Sequence, residues 1–210
     1  MEKRFNKQKL KYLTEKKLLY HLQSCFLPQH STIAQLIYIV HTWQMCLDYG
    51  DVVQASFSRD LSKAYDSVRI DGLVYKLPRI GFLPPTLQWF KSFLSDRKQL
   101  VTAGDSCSCW RITKSGIPQG TVLGPILFLI FINDRCQVLT SEPIVADDST
   151  VFSRPSIEAS ANKLNTDITA ANSWAEHWDM DFNAGKSEHL LVTSSRRKAE
   201  ASQFHYEVER

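Results

Sequence analysis

An apolar run from Val122 to Ile132, directly after a loop rich in glycine and proline, most constrains the fold of this chain. The run is 11 residues long and contains Gly124 and Pro125, so it is too short to span a bilayer and indicates a buried helix. With 43% hydrophobic and 22% charged residues among 210, the chain has the composition of a folded globular protein. Its length suits one large domain or two small subdomains that share a core.

Hydrophobic periodicity predicts helices and strands that interleave along the chain. The predicted helices cover 7–22, a segment from its N-cap Ser31 to Gly50, 71–77, 86–95, 122–134 and 157–178, with Pro78, Gly81 and Pro84-Pro85 separating the third from the fourth. The predicted strands cover 52–58, a hairpin of 98–103 and 109–114, two strands within 143–154, and 189–193. This order predicts an α+β fold, a sheet with helices packed on one face.

Charge is concentrated at the N-terminus, where residues 1–20 carry seven basic and two acidic side chains. This basic segment, with Lys7, Lys9 and Lys11, suits contact with a phosphate backbone, and a solvated helix face is the alternative. Five cysteines at scattered spacing predict reduced thiols, with no disulfide framework and no structural metal site. Because the N-terminus also lacks an apolar signal region, we expect an intracellular protein, in the cytoplasm or nucleus, with no membrane association.

The segment DLSKAYD, Asp60 to Asp66, follows a predicted strand. An aspartate at this position presents its carboxylate at the edge of the sheet. Alternatively, Asp60 caps a helix that begins at Leu61 or Ser62.

The segment SGIPQGTVLGP, Ser115 to Pro125, spaces three glycines and two prolines ahead of the buried helix. Such a loop lets the backbone approach a ligand closely, for example a base pair or a phosphate. Gln119 favours this interpretation over a purely structural turn.

The segment IVADDSTVF, Ile144 to Phe152, places Asp147 and Asp148 at the centre of a predicted hairpin. Adjacent carboxylates repel each other, and a bound divalent cation relieves that repulsion. An Asp-Asp turn in solvent is the alternative. Together with Asp60, 87 residues earlier, the pair matches the carboxylates that hold two ions in phosphoryl transfer.

These three segments resemble the polymerase motifs of reverse transcriptases of the non-LTR (LINE-type) retrotransposons. The similarity extends through FLPQHST (26–32), WFKSFLSDRKQ (89–99) and NAGKSEHLLV (183–192), and so covers nearly the whole chain. The resemblance implies a right-hand polymerase fold, with mainly fingers at about 1–55, palm with an inserted finger hairpin at about 56–195, and a tail at 196–210. Because only this tail follows the last predicted strand, we expect the thumb to be absent and the chain to be part of a larger polyprotein.

The resemblance also implies roles for individual residues. Asp60, Asp147 and Asp148 would be the catalytic, metal-binding carboxylates, and the cofactor would be Mg²⁺, with Mn²⁺ as a substitute. Tyr65 resembles the aromatic steric gate that rejects a ribose 2′-hydroxyl, with a core aromatic as the alternative. Gln119 and Gly120 resemble the pair that contacts the nascent base pair and the incoming nucleotide. Lys186 resembles the lysine near the triphosphate, or is a solvated lysine. The expected partners are an RNA or DNA template, its primer and deoxynucleoside triphosphates.

Five positions depart from the family pattern. Leu27 stands where an arginine is usual, and Val145 stands where an aromatic residue packs near the primer end. Arg59 and Arg135 replace apolar residues and are unfavourable if buried. Pro78 interrupts a helix, at about 3 kcal/mol if it lies in the middle.

Leu27, Val145 and the expected absence of the thumb motivate a second hypothesis, a catalytically degenerate, truncated remnant that at most binds nucleic acid. A third reading, a palm-type cyclase or nuclease, would need further residues for cyclisation or water activation near Asp147, and the sequence offers none.

Overall fold

The computed structural model describes residues 2–23, 26–28, 30–50, 53–58, 61–145, 149–153, 157–183, 185 and 188–193. The helices are α1 (Glu2–Glu15), α2 (Thr32–Asp48), α3 (Ala64–Ser67), α4 (Ile70–Arg79), α5 (Pro84–Leu94), α6 (Gly124–Ile132) and α7 (Ile157–His177), with a 3₁₀ turn at Asn133–Gln137. The strands are β1 (Val53–Ser58), β2 (Lys98–Gln99), β3 (Thr102–Ala103), β4 (Ser106–Cys107), β5 (Arg111–Ile112), β6 (Glu142–Val145), β7 (Ser149–Ser153) and β8 (Glu188–Val192).

The chain divides into two compact units, each built from separate stretches of sequence. Unit 1 comprises Met1–Leu19 and Lys63–Ile132, and unit 2 comprises Tyr20–Ser62 and Asn133–Arg210. Unit 1 therefore contains α1, α3 to α6 and the short strands β2 to β5. Unit 2 contains α2, α7 and the strands β1, β6, β7 and β8.

The centre of unit 2 is an antiparallel sheet in the order β6-β7-β1-β8. The sequence of β1, VQASFS, alternates apolar and polar residues, as strands with one buried face do. Helix α7 packs against β1 and β7. Helix α2 contributes Ile39 and Cys46 to a cluster with Val53 at the start of β1, so the sheet has helical cover as predicted.

The predicted limits of α2 are confirmed by its hydrogen bonds. The Ser31 hydroxyl accepts a hydrogen bond from the amide of Ala34 at 3.1 Å, which satisfies one of the donors left free at a helix start. At the other end, Gly50 takes a positive φ of 79° and its amide donates to the carbonyl of Leu47 at 3.0 Å.

In unit 1, aromatic side chains of α1 and α5 pack against each other, with the centres of the Phe5 and Trp89 rings 4.4 Å apart. Helix α4 lies against α5 and α6, and every residue of α6 except Pro125 is buried, as the apolar run predicts. Lys76 of α4 is buried, and its ammonium donates to the carbonyl of Phe131 at 2.6 Å. That carbonyl lies in the last turn of α6, where no amide within the helix is left to bind it.

Helix α1 differs from its predicted range of 7–22, since it spans residues 2–15. It ends where Lys17 adopts a left-handed φ of 51°. The amide of Leu18 then donates to the carbonyl of Leu13 at 2.9 Å, and that of Lys17 donates to the carbonyl of Thr14 at 3.1 Å. This is the Schellman ending, which glycine normally signals. Because lysine holds the position here, the sequence carries no visible stop.

Pro78 does not interrupt α4, contrary to the prediction. It is the penultimate residue of the helix, so it removes one amide at the end of the hydrogen-bond ladder and none in the middle. The helix ends at Arg79, and Gly81 beyond it has a φ of 84°, which allows the amide of Phe82 to reach the carbonyl of Leu77 at 3.4 Å.

The remaining elements confirm the predicted α+β architecture. The predicted hairpin at 98–114 forms, and the two strands predicted within 143–154 pair as Glu142–Val145 with Ser149–Ser153. In the described part of the chain, no helix is long and apolar enough to cross a membrane.

Candidate active site

One end of the unit 2 sheet gathers the ends of its four strands. Ser58, the last residue of β1, pairs with Ser149, the first residue of β7, and Val145 at the end of β6 pairs with the same Ser149. On the other side of β1, Phe57 pairs with Glu188, which begins β8. The register therefore brings the end of β1, the connection from β6 to β7 and the start of β8 to the same end of the sheet. Neighbouring strands there are about 4.8 Å apart.

The predicted carboxylates adjoin this edge in sequence. Asp60 follows Ser58 by two positions, Asp147 and Asp148 connect Val145 to Ser149, and Lys186 precedes Glu188 by two positions. Asp60, Asp147, Asp148 and Lys186 themselves lie outside the described residues. Within the described ranges, no three His, Cys, Asp or Glu side chains form a group suited to a metal ion.

The chain that leaves β1 is fixed again immediately after Asp60. Leu61 is buried and forms an isolated antiparallel bridge with Phe182, and the amide of Ser62 donates to the carbonyl of Asp181 at 2.9 Å. Both partners precede β8. The segment that leads out of β1 and the segment that leads into β8 are thus held together by backbone bonds.

In unit 1, the loop of residues 115–123 is bonded to the Tyr65–Val68 segment. The amide of Ile117 donates to the carbonyl of Tyr65, and the amide of Gly116 donates to the carbonyl of Val68, both at 2.8 Å. Gly116 has a φ of 86°, and a Cβ at this position would lie 3.0 Å from the Cα and the carbonyl oxygen of Asp66. Glycine is therefore required for both the conformation and the closeness of this contact.

Tyr65 is half-buried, and its ring stacks on Phe128 of α6 with centroids 4.8 Å apart and planes 16° from parallel. A Cβ at Gly124 would lie 3.5 Å from the ring, so the start of α6 also limits its position. Tyr65 is thus a packed aromatic, as the alternative proposed, and its role as a steric gate stays a prediction.

Gln119 and Gly120 lie at the exposed tip of the loop. The side-chain amide of Gln119 donates to the Asp66 carboxylate at 3.1 Å, which joins the end of the DLSKAYD segment to the loop. Gly120 has a φ of 75° and nothing within 4 Å of the position of a Cβ, so its backbone is open to an approaching ligand. The Thr121 hydroxyl donates to the carbonyl of Pro118 at 2.8 Å and closes the turn.

Arg97 also holds this loop, and sequence reasoning missed it. Its guanidinium donates to the carbonyls of Ser115, at 3.2 Å, and Gly116, and its Nε donates to the carbonyl of Leu94 at 3.0 Å. Partial burial lowers the pKa of Arg97 from its ordinary value. The residue belongs to the segment WFKSFLSDRKQ, but nothing in that pattern distinguishes an anchoring arginine from a surface one.

Comparison with known proteins identifies the family. The family model described as "Reverse transcriptase (RNA-dependent DNA polymerase)" matches residues 2–206. The chain belongs to the reverse transcriptase family.

Its relatives are enzymes of mobile elements. The chain is 31% identical over 179 residues to the RNA-directed DNA polymerase from mobile element jockey of Drosophila funebris, a match to 80% of this chain and 19% of that protein. It is 29% identical over 188 residues to the probable RNA-directed DNA polymerase from transposon BS of Drosophila melanogaster, a match to 83% of this chain and 20% of that protein. These elements are non-LTR retrotransposons. The chain spans about a fifth of the length of these relatives.

Solved structures of telomerase from Candida tropicalis share the fold. The apo enzyme truncated from its C-terminal domain superposes with a TM-score of 0.63 at 14% identity, covering 92% of this chain and 40% of that one. The complex with a TWJ fragment of telomeric RNA gives 0.65 at 13% identity, covering 92% and 34%. The fold is accordingly that of the fingers and palm of a reverse transcriptase.

In the basic N-terminus of this reverse transcriptase domain, some of the lysine side chains already contact other residues of the protein. The Lys9 ammonium donates to the Thr86 hydroxyl at 3.2 Å and lies 4.9 Å from the centre of the Phe5 ring. Lys11 pairs with Glu15 at 3.6 Å on the exposed side of α1, and Lys7 is exposed. Contact of these lysines with nucleic acid stays a prediction.

Two buried charged residues of unit 2, Arg135 and Asp167, differ in whether their side chains are hydrogen-bonded. Arg135 is 2% exposed, and neither of its terminal nitrogens has a hydrogen-bond partner within the described ranges. Burial lowers its pKa, and burial raises the pKa of the neighbouring Cys136 thiol to about 11. The burial on which that prediction depends is observed, and the guanidinium lies 5.9 Å from the centre of the Trp174 ring, so its energetic cost stays a prediction.

Asp167 of α7, by contrast, is buried with its bonds satisfied. Its carboxylate accepts from the Thr140 amide at 2.6 Å, the Thr140 hydroxyl at 2.9 Å and the Ser141 amide at 2.9 Å. These bonds fix the backbone directly before β6, the strand that leads to Asp147. Sequence reasoning saw only the apolar stripe of α7 and missed this role.

Proposed function

We propose that this reverse transcriptase domain extends the 3′-hydroxyl of a primer with deoxynucleotides, copying an RNA or DNA template. The register of the unit 2 sheet carries the proposal. Ser58, Val145 and Ser149 meet at one end of the sheet, and Asp60, Asp147 and Asp148 each follow or precede one of these residues by no more than two positions in sequence. Three carboxylates from two strand ends are a donor set of the kind that Mg²⁺ takes.

The three carboxylates would hold two Mg²⁺ ions, and Mn²⁺ would substitute. When bound, the ions supply activation of the primer hydroxyl and neutralisation of charge on the departing pyrophosphate. The task of the protein is to position the reactants. The backbone bonds of Leu61 and Ser62 to the 181–182 segment support this role, since they restrain the chain directly after Asp60.

Other residues receive roles that rest on the family resemblance. Tyr65, held against Phe128, would limit the space beside the sugar and disfavour a ribose 2′-hydroxyl. Gln119 and the open backbone of Gly120 would contact the nascent base pair and the incoming nucleotide. Lys186 would neutralise triphosphate charge, and Lys7 with Lys11 would contact the nucleic-acid backbone. An intracellular location and a larger polyprotein of the parent element belong to the same proposal.

Primer extension on an RNA template with Mg²⁺ and deoxynucleotides tests the polymerase role. Loss of a metal-binding carboxylate removes several kcal/mol of stabilisation, so Asp147→Asn should lower extension by about 10²-fold or more. Asp48→Asn is the matched control, because Asp48 is an exposed carboxylate at the end of α2 that accepts a hydrogen bond from Gln44 of the same helix. Extension that survives Asp147→Asn unchanged would refute the assignment of the site.

A catalytically degenerate reverse transcriptase is the second candidate. The buried Arg135, which has no bonding partner for its terminal nitrogens within the described ranges, favours it, as do Leu27 and Val145 at two positions where the family differs. It predicts salt-dependent RNA binding by the purified chain without any extension. Template-dependent incorporation that Asp147→Asn abolishes would exclude it.

A further inference from the structure

The hairpin of residues 98–114 in unit 1, which we call the ribbon, is largely exposed to solvent. Its strands are two residues each, paired as β2 with β5 and β3 with β4. Every residue from 101 to 112 is exposed. Its own bonds hold its shape, since the Val101 amide donates to the Ser108 hydroxyl and the Ser108 amide donates to the Val101 carbonyl, both at 2.9 Å.

Large apolar side chains project from the ribbon into solvent. Trp110 is 66% exposed, and Ile112 and Val101 are each 69% exposed. Single exposed apolar residues are ordinary, but three on one short ribbon, one of them a tryptophan, mark a contact surface. An exposed indole is a large, rigid plane that loses little side-chain entropy when it stacks on a ligand.

The same ribbon is positively charged. Lys98, Arg111 and Lys114 oppose only Asp105 at the turn, so three positive charges less one negative charge leave +2. Within the described ranges, none of the three cations forms an ion pair. Lys98 pairs with Ile112, so both side chains lie on one face of the ribbon, whereas Arg111 pairs with Gln99 on the opposite face.

This combination fits a single-stranded nucleic acid. Cations contact the phosphates of such a strand, and an aromatic plane accepts an unpaired base by stacking. A protein partner with an acidic apolar surface would use the charges but would not require a flat aromatic plane. Duplex nucleic acid keeps its bases stacked inside, so it would leave Trp110 unused.

The base of the ribbon is joined rigidly to the loop of residues 115–123. Arg97 directly precedes β2 and donates to the carbonyls of Ser115 and Gly116, while the Thr113 amide returns to the carbonyl of Arg97 at 2.9 Å. We propose that the ribbon docks single-stranded nucleic acid, with Trp110 stacking on a base and Lys98 and Lys114 contacting phosphates. The identity of this strand as template rests on the proposed function.

Binding of labelled single-stranded 12-nucleotide RNA, followed by fluorescence anisotropy without nucleotide or divalent cation, tests the ribbon. Trp110→Ala should weaken binding by about 5- to 100-fold, and Trp110→Phe should restore most of the affinity. An abasic oligomer of equal length keeps the phosphates and removes the bases. Its affinity should be the same for the parent protein and for Trp110→Ala.

The charged residues are tested by salt dependence. Lys114→Gln should lower the slope of log K against log salt by about 0.7, the value for one phosphate contact on a single strand. The same measurements with DNA oligomers show whether the sugar matters. Circular dichroism checks that the exposed substitutions leave the fold intact.

Three results would overturn the proposal. Equal RNA affinity of Trp110→Ala and the parent would exclude stacking, and an equal loss on the abasic oligomer would make Trp110 structural. Dissociation of a dimer by Trp110→Ala, with RNA affinity unchanged, would assign the ribbon to self-association. Asp147→Asn should leave ribbon binding intact, so failure of the polymerase proposal and failure of the ribbon proposal are distinguishable.

Discussion

Replacing Gly116 with alanine probes how closely the loop of residues 115–123 is held against the Tyr65–Asp66 backbone. The left-handed conformation of Gly116, with a φ of 86°, costs an L-residue about 1–2 kcal/mol. The added Cβ would also lie 3.0 Å from two backbone atoms of Asp66, which cannot rotate away as a side chain does. Forced displacement in a packed region costs about 1–3 kcal/mol more. The expected loss of stability is therefore about 2–5 kcal/mol.

Gly104→Ala separates the two costs. Gly104 also has a positive φ, 58°, but nothing lies within 4 Å of the position of its Cβ, so only the conformational cost of about 1–2 kcal/mol applies. Urea unfolding followed by circular dichroism compares the two variants through their midpoints, provided that their m-values agree. If Gly116→Ala costs no more than Gly104→Ala, the close contact with Asp66 does not exist as described.

Three further predictions concern the buried charges and the buried thiol of unit 2. Asp167→Ala should lower the free energy of unfolding in urea by about 2–4 kcal/mol, because it leaves buried backbone amides without an acceptor, and Asp167→Asn should lower it less. Equal losses for the two variants would contradict the hydrogen bonds assigned to the carboxylate. Arg135→Met should raise the free energy of unfolding by about 1–4 kcal/mol, whereas Lys76→Met, which removes a hydrogen-bonded cation, should lower it. A lower free energy of unfolding for Arg135→Met would show that the guanidinium has a stabilising partner. The pKa of the Cys136 thiol is raised from 9.0 to about 11, so between pH 9 and 11 the folded state keeps a proton that the unfolded chain releases, and stability should fall over that range. Cys136→Ala should show a smaller fall in stability between pH 9 and 11. An identical pH profile for the variant and the parent would contradict the shift.

Local patterns predicted the elements that depend on local rules. The alternation in VQASFS, the Ser31 cap and the apolar run before Ile132 each specify an element without reference to distant residues, and all three formed. The two hairpins followed from turn residues between β-forming segments. These elements form the end of the sheet that adjoins the candidate carboxylates in sequence, so that end of the sheet was largely predictable.

The contacts that fix the loop and the approach to β6 were not predictable. Gln119 bonds to Asp66 across 53 positions, and Asp167 bonds to Thr140 across 27, and no periodicity links such pairs. The end of α1 was missed because Lys17 takes a conformation that glycine usually supplies. In each case tertiary packing, and not local preference, decides the geometry.

Metal-directed cleavage tests whether Asp60 and the Asp147-Asp148 pair hold the same ions. Fe²⁺ bound in place of Mg²⁺ generates hydroxyl radicals with ascorbate and peroxide, and these cut the backbone only nearby. If the three carboxylates hold the same ions, two sets of cuts are expected, at about 58–61 and 145–149, both competed by Mg²⁺ and both lost in Asp147→Asn. Cuts at one of these segments without the other would contradict a shared site, and so would cuts that persist in Asp147→Asn.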